Sequence, residues 1–313
     1  MTTVKRLLVP VDFSDSSRKA IGYGVAIAEK TGAKLYLAHI LAAVPSFGYV
    51  FPENPLDMDA KRLADARQTL LGLLPPNHDE LHYELVTRIG AVEDELLGIA
   101  REEDIDLVIM GSRGRTGLRR WFLGSVTEHL LRKLPVPVLT VSHIAPGHAL
   151  DAGKEPLVAQ ILFATDLGDG VEKGLQASVQ LARYFKANLT VAHVVARPPF
   201  EEIAPAVSGE FMFGADATAV AEQLHAVTDP YLNGLKVDTA ILRGEPYEAI
   251  LHFADANDID LVVLNLERKS ALERVLLGAT AEQVVRLAHM PVLSIPVDVA
   301  VAAIDTSVAV ISP

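Results

Sequence analysis

The strongest constraint on this chain is an internal repeat that keeps one register over most of its length. The segment "RLLVPVDFSD" resembles "QILFATDLGD", and this aligns Asp12 with Asp166, 154 positions later. Five further pairs share that offset: His39 with His193, Gly90 with Gly244, Asp106 with Asp260, Gly124 with Gly278, and Pro137 with Pro291. Chance identities do not hold one register in this way. The repeat therefore predicts a tandem duplication of one fold.

Length and composition fit this interpretation. A chain of 313 residues that is 50% hydrophobic is expected to form about two globular domains. A cytoplasmic location is expected, because no apolar segment approaches the roughly 18 residues of a membrane span and the start "MTTVKRLLVPVDF" does not resemble a signal peptide. The absence of cysteine excludes disulfides and thiolate metal sites. The net charge of -12 disfavours nucleic acid and anionic membranes as partners, so a phosphate ligand would need a local site.

Turn-forming composition in "HIAPGHALDAGKEP" marks the expected boundary between the copies. The apolar segment at 196–217, rich in proline and glycine, could cover a different pocket or an interface, and the tail at 298–313 has no matching counterpart; no function is assigned to either. The expected organisation is a first domain at 1–145, a linker at 146–156, a second domain at 157–297 and a tail at 298–313.

Apolar runs predict five buried strands in the first copy and five more at the same offset in the second. The first-copy strands are expected at 6–12, 34–40, 81–87, 105–110 and 136–142. Helical spacing lies between them, as in the segment 16–32, which opens on candidate serine caps and stops at Gly32. Strands that alternate with helices predict parallel crossovers. The predicted fold class is α/β, with two tandem doubly wound domains, each an open five-stranded parallel sheet with helices on both faces.

The stretch "GSRGRTGLRRWFLGSVTEHL" at 111–130 follows the fourth predicted strand and contains four glycines and four arginines. Ligands of open parallel sheets bind beyond the carboxyl ends of the strands, at the point where the winding direction changes. Glycines there bring bare backbone close to a phosphate, and the free amides of a helix N-terminus bind an anion. The alternative is purely structural, because "SVTE" at 125–128 has the spacing of a capping box.

The spacing Gly111-x2-Gly114-x9-Gly124-Ser125, together with "LLVPVDFSDSSRKAI" and "LAHI", resembles the ATP-binding signature of the universal stress protein family. Through the constant offset the resemblance extends to about residue 297. It implies a tandem protein of that family with ATP across the switch point of a five-stranded parallel domain. It also implies that the terminal strand of one domain pairs with that of another.

The resemblance implies a nucleotide site in the first copy. Asp12 matches a carboxylate at the adenine end, with a helix cap as the alternative role, and Ile40 matches an apolar wall, with plain core as the alternative. Arg113 and Arg115 are added from charge and proximity, and solvated loop arginines are the alternative. Arg119, Arg120 and Trp121 could cover the ligand or contact a partner. The predicted site residues are Pro10, Val11, Asp12, Ile40, Met110, Gly111, Arg113, Gly114, Gly124, Ser125, Val126 and Thr127.

The second copy departs from this signature. Bulkier or apolar residues replace its glycines and hydroxyls, and an acidic residue replaces Arg113, so we expect side chains to fill the second cleft and nucleotide to bind in the first copy only. Asp166 remains and is interpreted as a helix cap. The replacements are Asn265 for Gly111, Glu267 for Arg113, Arg268 for Gly114, Ala279 for Ser125 and Ala281 for Thr127.

Catalytic and metal-binding patterns are weak. The repeated His39 and His193 favour a structural or pocket-edge role, and His78 with His82 does not form a convincing zinc cluster. Magnesium or manganese could arrive with ATP phosphates. We assign no catalytic residue.

The sequence thus predicts a cytoplasmic stress-response protein that binds ATP in its first domain and acts as a nucleotide-dependent sensor or regulatory module. The alternatives are a slow ATPase and a protein-interaction module with a vestigial pocket. The strand near 291–297 is expected to pair with 136–142 within the chain, and two chains could form a homodimer.

Overall fold

A computed structural model describes most of the chain, and it divides into two compact units, Val4–Pro156 and one built on Leu157–Pro313. The predicted linker and tail lie outside the described residues. None of the described helices is long and apolar enough to cross a membrane. The described residues are 4–43, 55–76, 80–114, 123–145, 158–168, 170–196, 211–232, 234–267, 269–271, 274–276 and 278–297.

The first unit alternates strands and helices around one parallel sheet. Its strand order is β3-β2-β1-β4-β5, and all four strand pairs are parallel. The winding direction therefore changes between β1 and β4. The elements are β1 (Arg6–Pro10), α1 (Asp15–Thr31), β2 (Lys34–Leu41), α2 (Pro55–Leu71), β3 (Tyr83–Ile89), α3 (Val92–Glu102), β4 (Leu107–Gly111), α4 (Ser125–Lys133) and β5 (Val138–Val141).

The second unit repeats this order as β8-β7-β6-β9-β12, again with four parallel pairs. A short antiparallel pair, β10 with β11, follows β9 and was not expected from the repeat. The elements are β6 (Gln160–Thr165), α5 (Val171–Phe185), β7 (Asn188–Val195), α6 (Phe211–Leu232), β8 (Val237–Arg243), α7 (Pro246–Ala256), β9 (Leu261–Leu266), β10 (Lys269–Ala271), β11 (Arg274–Leu276), α8 (Ala279–Leu287) and β12 (Val292–Pro296). The predicted fold class is confirmed.

The predicted strand bounds differ from the observed ones by at most two residues. β1 ends at Pro10, although the apolar run suggested residue 12. Beyond β1, the amide of Val11 still donates to the carbonyl of Ala38 at 2.8 Å. Phe13 then adopts a positive φ of 65°, which no extended strand allows. Asp12 therefore belongs to a turn.

Unusual backbone conformations recur at the repeat offset. Phe13 has its equivalent in Leu167, with φ of 62°, and Asp104 in Asp258, with φ values of 43° and 50°. Residues other than glycine rarely adopt positive φ. Shared exceptions of this kind indicate that both copies keep the same turns.

A contact between a half-buried carboxylate and two backbone amides also recurs. Oδ2 of Asp106 accepts hydrogen bonds from the amides of Lys5 at 2.7 Å and Arg6 at 3.0 Å. Oδ2 of Asp260 accepts from the equivalent amides of the second unit at 2.7 and 2.9 Å. Each carboxylate thus joins the start of the fourth strand of its unit to the start of the first, at the edge opposite the carboxyl ends.

The packing of α1 on the sheet requires a glycine. A Cβ atom built on Gly24 would lie 2.8 Å from Cγ2 of Val9 and 3.2 Å from Cδ1 of Leu35. Gly98, in the interior of α3, is different, because its nearest neighbour would be Oε1 of Glu102 at 3.5 Å, an ordinary contact. The two helical glycines therefore have different roles.

This difference predicts opposite effects of the same substitution. Gly98→Ala should raise the free energy of unfolding by up to about 1 kcal/mol, because alanine favours helix more than glycine does. Gly24→Ala gains the same propensity but overpacks the core, which costs about 1–3 kcal/mol. Chemical denaturation followed by circular dichroism should therefore find Gly24→Ala the less stable variant. Equal stability of the two variants would contradict the packing argument.

Candidate functional site

A cavity of about 550 Å³ opens at the carboxyl ends of β1, β2 and β4 in the first unit. This volume is within the range of small-molecule sites. All twelve predicted site residues line it. His39, for which the repeat favoured a structural or pocket-edge role, lines it as well. Five further lining residues were not predicted from the sequence, namely Ser17, Ala38, Ala42, Val92 and Leu96.

Two of the missed residues share one face of α3. Val92 and Leu96 are four positions apart, and Leu96 is buried. Residues at this spacing lie above one another on a helix. The apolar period of α3 predicted a buried face, but a buried face alone does not tell a cavity wall from a closed core.

An ion-pair network joins this wall to the sheet. Nη1 of Arg88 on β3 lies 3.4 Å from Oε2 of Glu95, and Nη2 lies 2.5 Å from Oε2 of Glu102, both on α3. The hydrogen bond to Glu102 raises the pKa of Arg88 and holds the pKa of Glu102 below its ordinary value. Because Glu102 is at the surface, the network positions α3 more than it stabilises the unit.

The repeated histidines have the structural role that the repeat suggested. Nδ1 of His39 lies 2.6 Å from the carbonyl oxygen of Val11, and Nδ1 of His193 lies 2.9 Å from that of Thr165. The His39 ring also packs on Phe13, with a centroid separation of 4.5 Å. His39 therefore joins β2 to Val11, the residue after β1. His193 joins β7 to Thr165, the last residue of β6.

The turn between β1 and α1 is held by a carboxylate and a serine. Oδ1 of Asp12 accepts hydrogen bonds from the amide of Ser14 at 3.0 Å and from its hydroxyl at 2.6 Å. Oγ of Ser14 in turn accepts from the amide of Ser17 at 3.2 Å. Ser14 is therefore the N-cap of α1, two residues before the predicted start of the helix. Asp12 does not cap the helix itself; it positions the residue that does.

Gly111 lies against the first turn of α1. A Cβ atom at this position would overlap Oγ of Ser16 and lie 3.0 Å from the backbone carbonyl carbon of that residue. The Ser16 hydroxyl donates to the carbonyl of Arg113, so the helix holds the loop that follows β4. Packing against Ser16 therefore requires a glycine at position 111, whether or not a ligand also approaches the backbone there.

The other two glycines differ in how much room they leave. A Cβ atom on Gly114 would lie 2.8 Å from Oδ2 of Asp12, so the second carboxylate oxygen lies beside this part of the loop. Gly124 has φ of -63° and ψ of 138°, which any residue adopts, and its Cβ would make only ordinary contacts, 3.4 Å from Oγ1 of Thr127 at the closest. The fold therefore tolerates a side chain at Gly124.

The capping box, which was the structural alternative at the start of α4, is not formed. The N-cap is Gly124, which makes no side-chain hydrogen bond, and Ser125 is the first helical residue. Glu128 does not reach back to the cap and pairs with Arg132 one turn later. The Ser125 hydroxyl is exposed at the cavity, whereas that of Thr127 is buried and donates to the carbonyl of Gly111 at 2.9 Å.

The first turn of α4 offers amides to the cavity. The amides of Ser125, Val126 and Thr127 precede the first intrahelical hydrogen bond, which runs from the amide of Glu128 to the carbonyl of Gly124 at 2.9 Å. All three residues line the cavity. A helix start of this kind favours an anionic ligand.

Positive charge lies at the same end of the cavity. Arg113 lines it, with Nη1 3.3 Å from Nδ1 of His143 after β5. Lys19 on α1 donates to the carbonyls of His143 at 2.6 Å and Ala145 at 2.5 Å. The remaining residues that could add charge or cover a ligand lie outside the described part of the chain, namely Arg115, Arg119, Arg120 and Trp121.

Within the described ranges, no group of three or more histidine, aspartate or glutamate side chains is placed to hold a metal ion. Asp12 is the carboxylate that lines the first cavity. A divalent ion there would therefore depend mainly on oxygens that a phosphate ligand supplies.

The second unit has a cavity of its own, of about 460 Å³. Each of its lining residues stands 154 positions after a lining residue of the first cavity. The expectation that side chains fill this cleft is therefore wrong. Arg268, one of the residues expected to fill it, lies outside the described residues.

The cleft stays open because Asn265 is accommodated elsewhere. Nδ2 of Asn265 donates to the carbonyl of Gly170 at 2.9 Å, and Gly170 replaces Ser16 of the first unit. A Cβ atom on Gly174 would overlap both Oδ1 of Asn265 and the ring of Phe163. Gly174 of α5 thus leaves the room that the larger side chain needs, and the N-cap Gly170 supplies the carbonyl that accepts the hydrogen bond from its amide.

The interpretation of Asp166 as a helix cap is also wrong. Oδ1 of Asp166 accepts from the amide of Gly168 at 2.9 Å, in the same kind of turn that Asp12 forms with Ser14. The N-cap of α5 is Gly170, which makes no side-chain hydrogen bond. The carboxylate therefore closes the turn and lines the second cavity.

The contact between Ser16 and Gly111 predicts strong coupling between these positions. Gly111→Ala alone should destabilise the protein by about 1–3 kcal/mol, because the new methyl group overlaps the serine. Adding Ser16→Gly should recover part of this loss, with a coupling energy of about 0.5–3 kcal/mol in a double-mutant cycle measured by chemical denaturation. Ser16→Gly combined with the distant Gly98→Ala is the control and should be additive. Additivity of the first pair would refute the assigned contact.

Comparisons with known proteins agree with this architecture. The profile of the universal stress protein family matches residues 3–142 and again 158–296. The universal stress protein Slr1230 of Synechocystis sp. is 24% identical over 318 residues, which cover 93% of this chain and 99% of that protein. The universal stress protein MJ0531 of Methanocaldococcus jannaschii is 29% identical over 139 residues, which cover 44% of this chain and 81% of that protein.

Solved structures show the same fold over nearly the whole chain. A universal stress protein from Archaeoglobus fulgidus superposes with a TM-score of 0.62 at 20% identity, covering 94% of this chain and 98% of that one. A functionally unknown protein from Pseudomonas aeruginosa PAO1 superposes with a TM-score of 0.61 at 17% identity, covering 94% and 92%. With two family matches at the repeat offset, this chain belongs to the universal stress protein family.

Proposed function

We propose that this chain is a cytoplasmic stress-response protein that binds ATP in its first unit and uses occupancy of that site as a regulatory signal. The observation that carries the proposal is the first cavity. Twelve residues chosen from the sequence line this one space of about 550 Å³, at the point where the winding of the sheet changes direction. Such a point is the usual ligand site of an open parallel sheet.

The two ends of the cavity suit the two ends of a nucleotide. The phosphate end has the first turn of α4, the exposed hydroxyl of Ser125 and the guanidinium of Arg113. The other end has apolar side chains, including Ile40 and Leu96, together with the carboxylate of Asp12. An adenine ring would lie against the apolar wall, and its amino group could donate to the carboxylate.

The amides and the arginine must act together. One helix terminus contributes about 0.3–1 kcal/mol for a single charge, and about 2 kcal/mol when partly buried. Micromolar binding requires about -8 kcal/mol. Contact of the base with the apolar wall would have to supply much of the difference.

Magnesium or manganese would accompany the phosphates in this proposal. Pairing of the two terminal strands and formation of a homodimer stay predictions.

Gly124→Asp tests the phosphate end without loss of the fold. Aspartate is a favourable N-cap and Gly124 already has a suitable backbone conformation, so α4 should remain folded. The new carboxylate would occupy the amides and repel the phosphates. We expect ATP affinity to fall at least tenfold in isothermal titration calorimetry.

Gly278→Asp is the matched control. Gly278 is the N-cap of α8, the equivalent position of the second unit, and a Cβ atom there would meet nothing within 4 Å. ATP affinity should be unchanged in this variant. Equal loss in both variants would place the nucleotide elsewhere, and loss in neither would reject the first cavity as the site.

Arg113→Glu separates the phosphate end from the base end. The substitution gives the first cavity the acidic residue that the second cavity carries at this position. Reversal of the charge should weaken ATP binding by about tenfold or more, which corresponds to at least about 1.4 kcal/mol, and leave adenosine binding within about twofold. Titration of both ligands into the same preparation provides the measurement. A parallel loss of adenosine binding would contradict the assigned role of Arg113.

A further inference from the structure

We propose that the cavity of the second unit binds a neutral or cationic organic molecule of about nucleoside size and rejects phosphorylated ones. Its volume of about 460 Å³ suits such a molecule. Much of its lining is apolar and would contact a flat or aliphatic body. The apolar lining residues include Ala164, Val194, Pro246, Ile250 and Leu264.

The described lining of this cavity is acidic, whereas that of the first carries one carboxylate and one guanidinium, those of Asp12 and Arg113. Asp166 and Glu267 are the charged residues among its described lining residues. A Cβ atom on Gly168 would lie 3.1 Å from Oδ1 of Asp166 and 3.1 Å from Oε1 of Glu267, so both carboxylates border one small region. An amine or hydroxyl of a bound molecule placed there could donate to either carboxylate, whereas a phosphate would be repelled.

The groups that would hold a phosphate are also changed. Ala279 stands where the first unit has the exposed hydroxyl of Ser125, and Glu267 stands where it has Arg113. The start of α8 still faces the cavity and carries one hydroxyl there, that of Thr280 in place of Val126, with Glu267 among the same lining residues.

The cavity itself is nevertheless kept. Asn265 is the substitution that would close it, and its side chain is bonded to the carbonyl of Gly170 on α5. Gly174 leaves room for the same side chain. The second unit thus replaces the phosphate-binding groups while it retains the space, the turn carboxylate and the apolar wall, which is the pattern expected of altered ligand preference.

A series of ligands that differ only in charge tests this inference on the full chain. The probes are 5′-amino-5′-deoxyadenosine, adenosine and AMP, which carry a positive, no and a negative charge at the same place. Methyl spectra of isoleucine-labelled protein report both sites, because Ile40 lines the first cavity and Ile250 the second. Conservative Ile→Val variants at these positions assign the two signals.

We expect the Ile250 signal to respond to the amine at the lowest concentration, to adenosine at a higher one, and to AMP at least tenfold more weakly than to the amine. Glu267→Arg should reverse the preference between the amine and AMP at Ile250. Glu222→Arg, on the exposed surface of α6, is the control and should change neither.

The inference is overturned if AMP shifts Ile250 as readily as the amine does, or if neither the amine nor adenosine shifts it at millimolar concentration. It does not require ATP in the first cavity. A shift of Ile40 with AMP and none of Ile250 with any probe would support nucleotide binding in the first unit and reject the second site. A shift of Ile250 with the amine and none of Ile40 with AMP would support the second site and count against nucleotide binding in the first unit.

Discussion

In each unit, the end of the fourth strand lies close to the first turn of the helix that follows the first strand. This close approach limits which side chains the loop after the fourth strand can carry. In the first unit Ser16 occupies the space between them and Gly111 must lack a side chain. In the second unit Asn265 extends towards the helix, and the residue that must lack a side chain is Gly174, on which a Cβ atom would overlap Oδ1 of Asn265. In each unit a glycine lies opposite the larger side chain, because interiors are packed too densely for both. In the first unit the helix residue Ser16 holds the loop after the fourth strand, and in the second unit the strand residue Asn265 holds the start of the helix.

This difference has electrostatic consequences. In the first unit the Ser16 hydroxyl donates to the carbonyl of Arg113, which fixes the backbone that carries the guanidinium. In the second unit Asn265 bonds to the helix start instead, and the residue two positions later is Glu267. The same backbone therefore presents a positive group in one cavity and a negative group in the other. The reversal of charge at this position needed no change of fold.

The fold could be predicted from the sequence because the repeat and the alternating apolar runs are properties of single residue types at fixed spacing. Most residues that line the first cavity could be predicted because they belong to one loop and to the ends of three strands. Two local interpretations failed for a common reason. "SVTE" and Asp166 both have the composition of helix caps, but Gly124 and Gly170 are the N-caps, and composition does not show where a helix begins.

The openness of the second cavity could not be predicted from substitutions taken one at a time. Asn265 adds volume at a position where Gly111 has none, and this suggested a filled cleft. The compensating loss is at Gly174, which stands where the first unit has Ala20 and lies far from Asn265 in the chain, so only the packing of α5 against β9 relates the two. The repeat shows this only when both positions are compared together, since one gains a side chain and the other loses one.

The division of roles between the two edges of each sheet explains how the copies could diverge. The contacts that recur in both units include those of Asp106 and Asp260, which lie at the amino ends of the strands. The turns that hold Asp12 and Asp166 recur at the carboxyl ends but use backbone amides as donors, which no substitution except proline removes. The side chains of Arg113 and Glu267 take no part in these recurring contacts. They were therefore able to change charge while the backbone around them stayed the same.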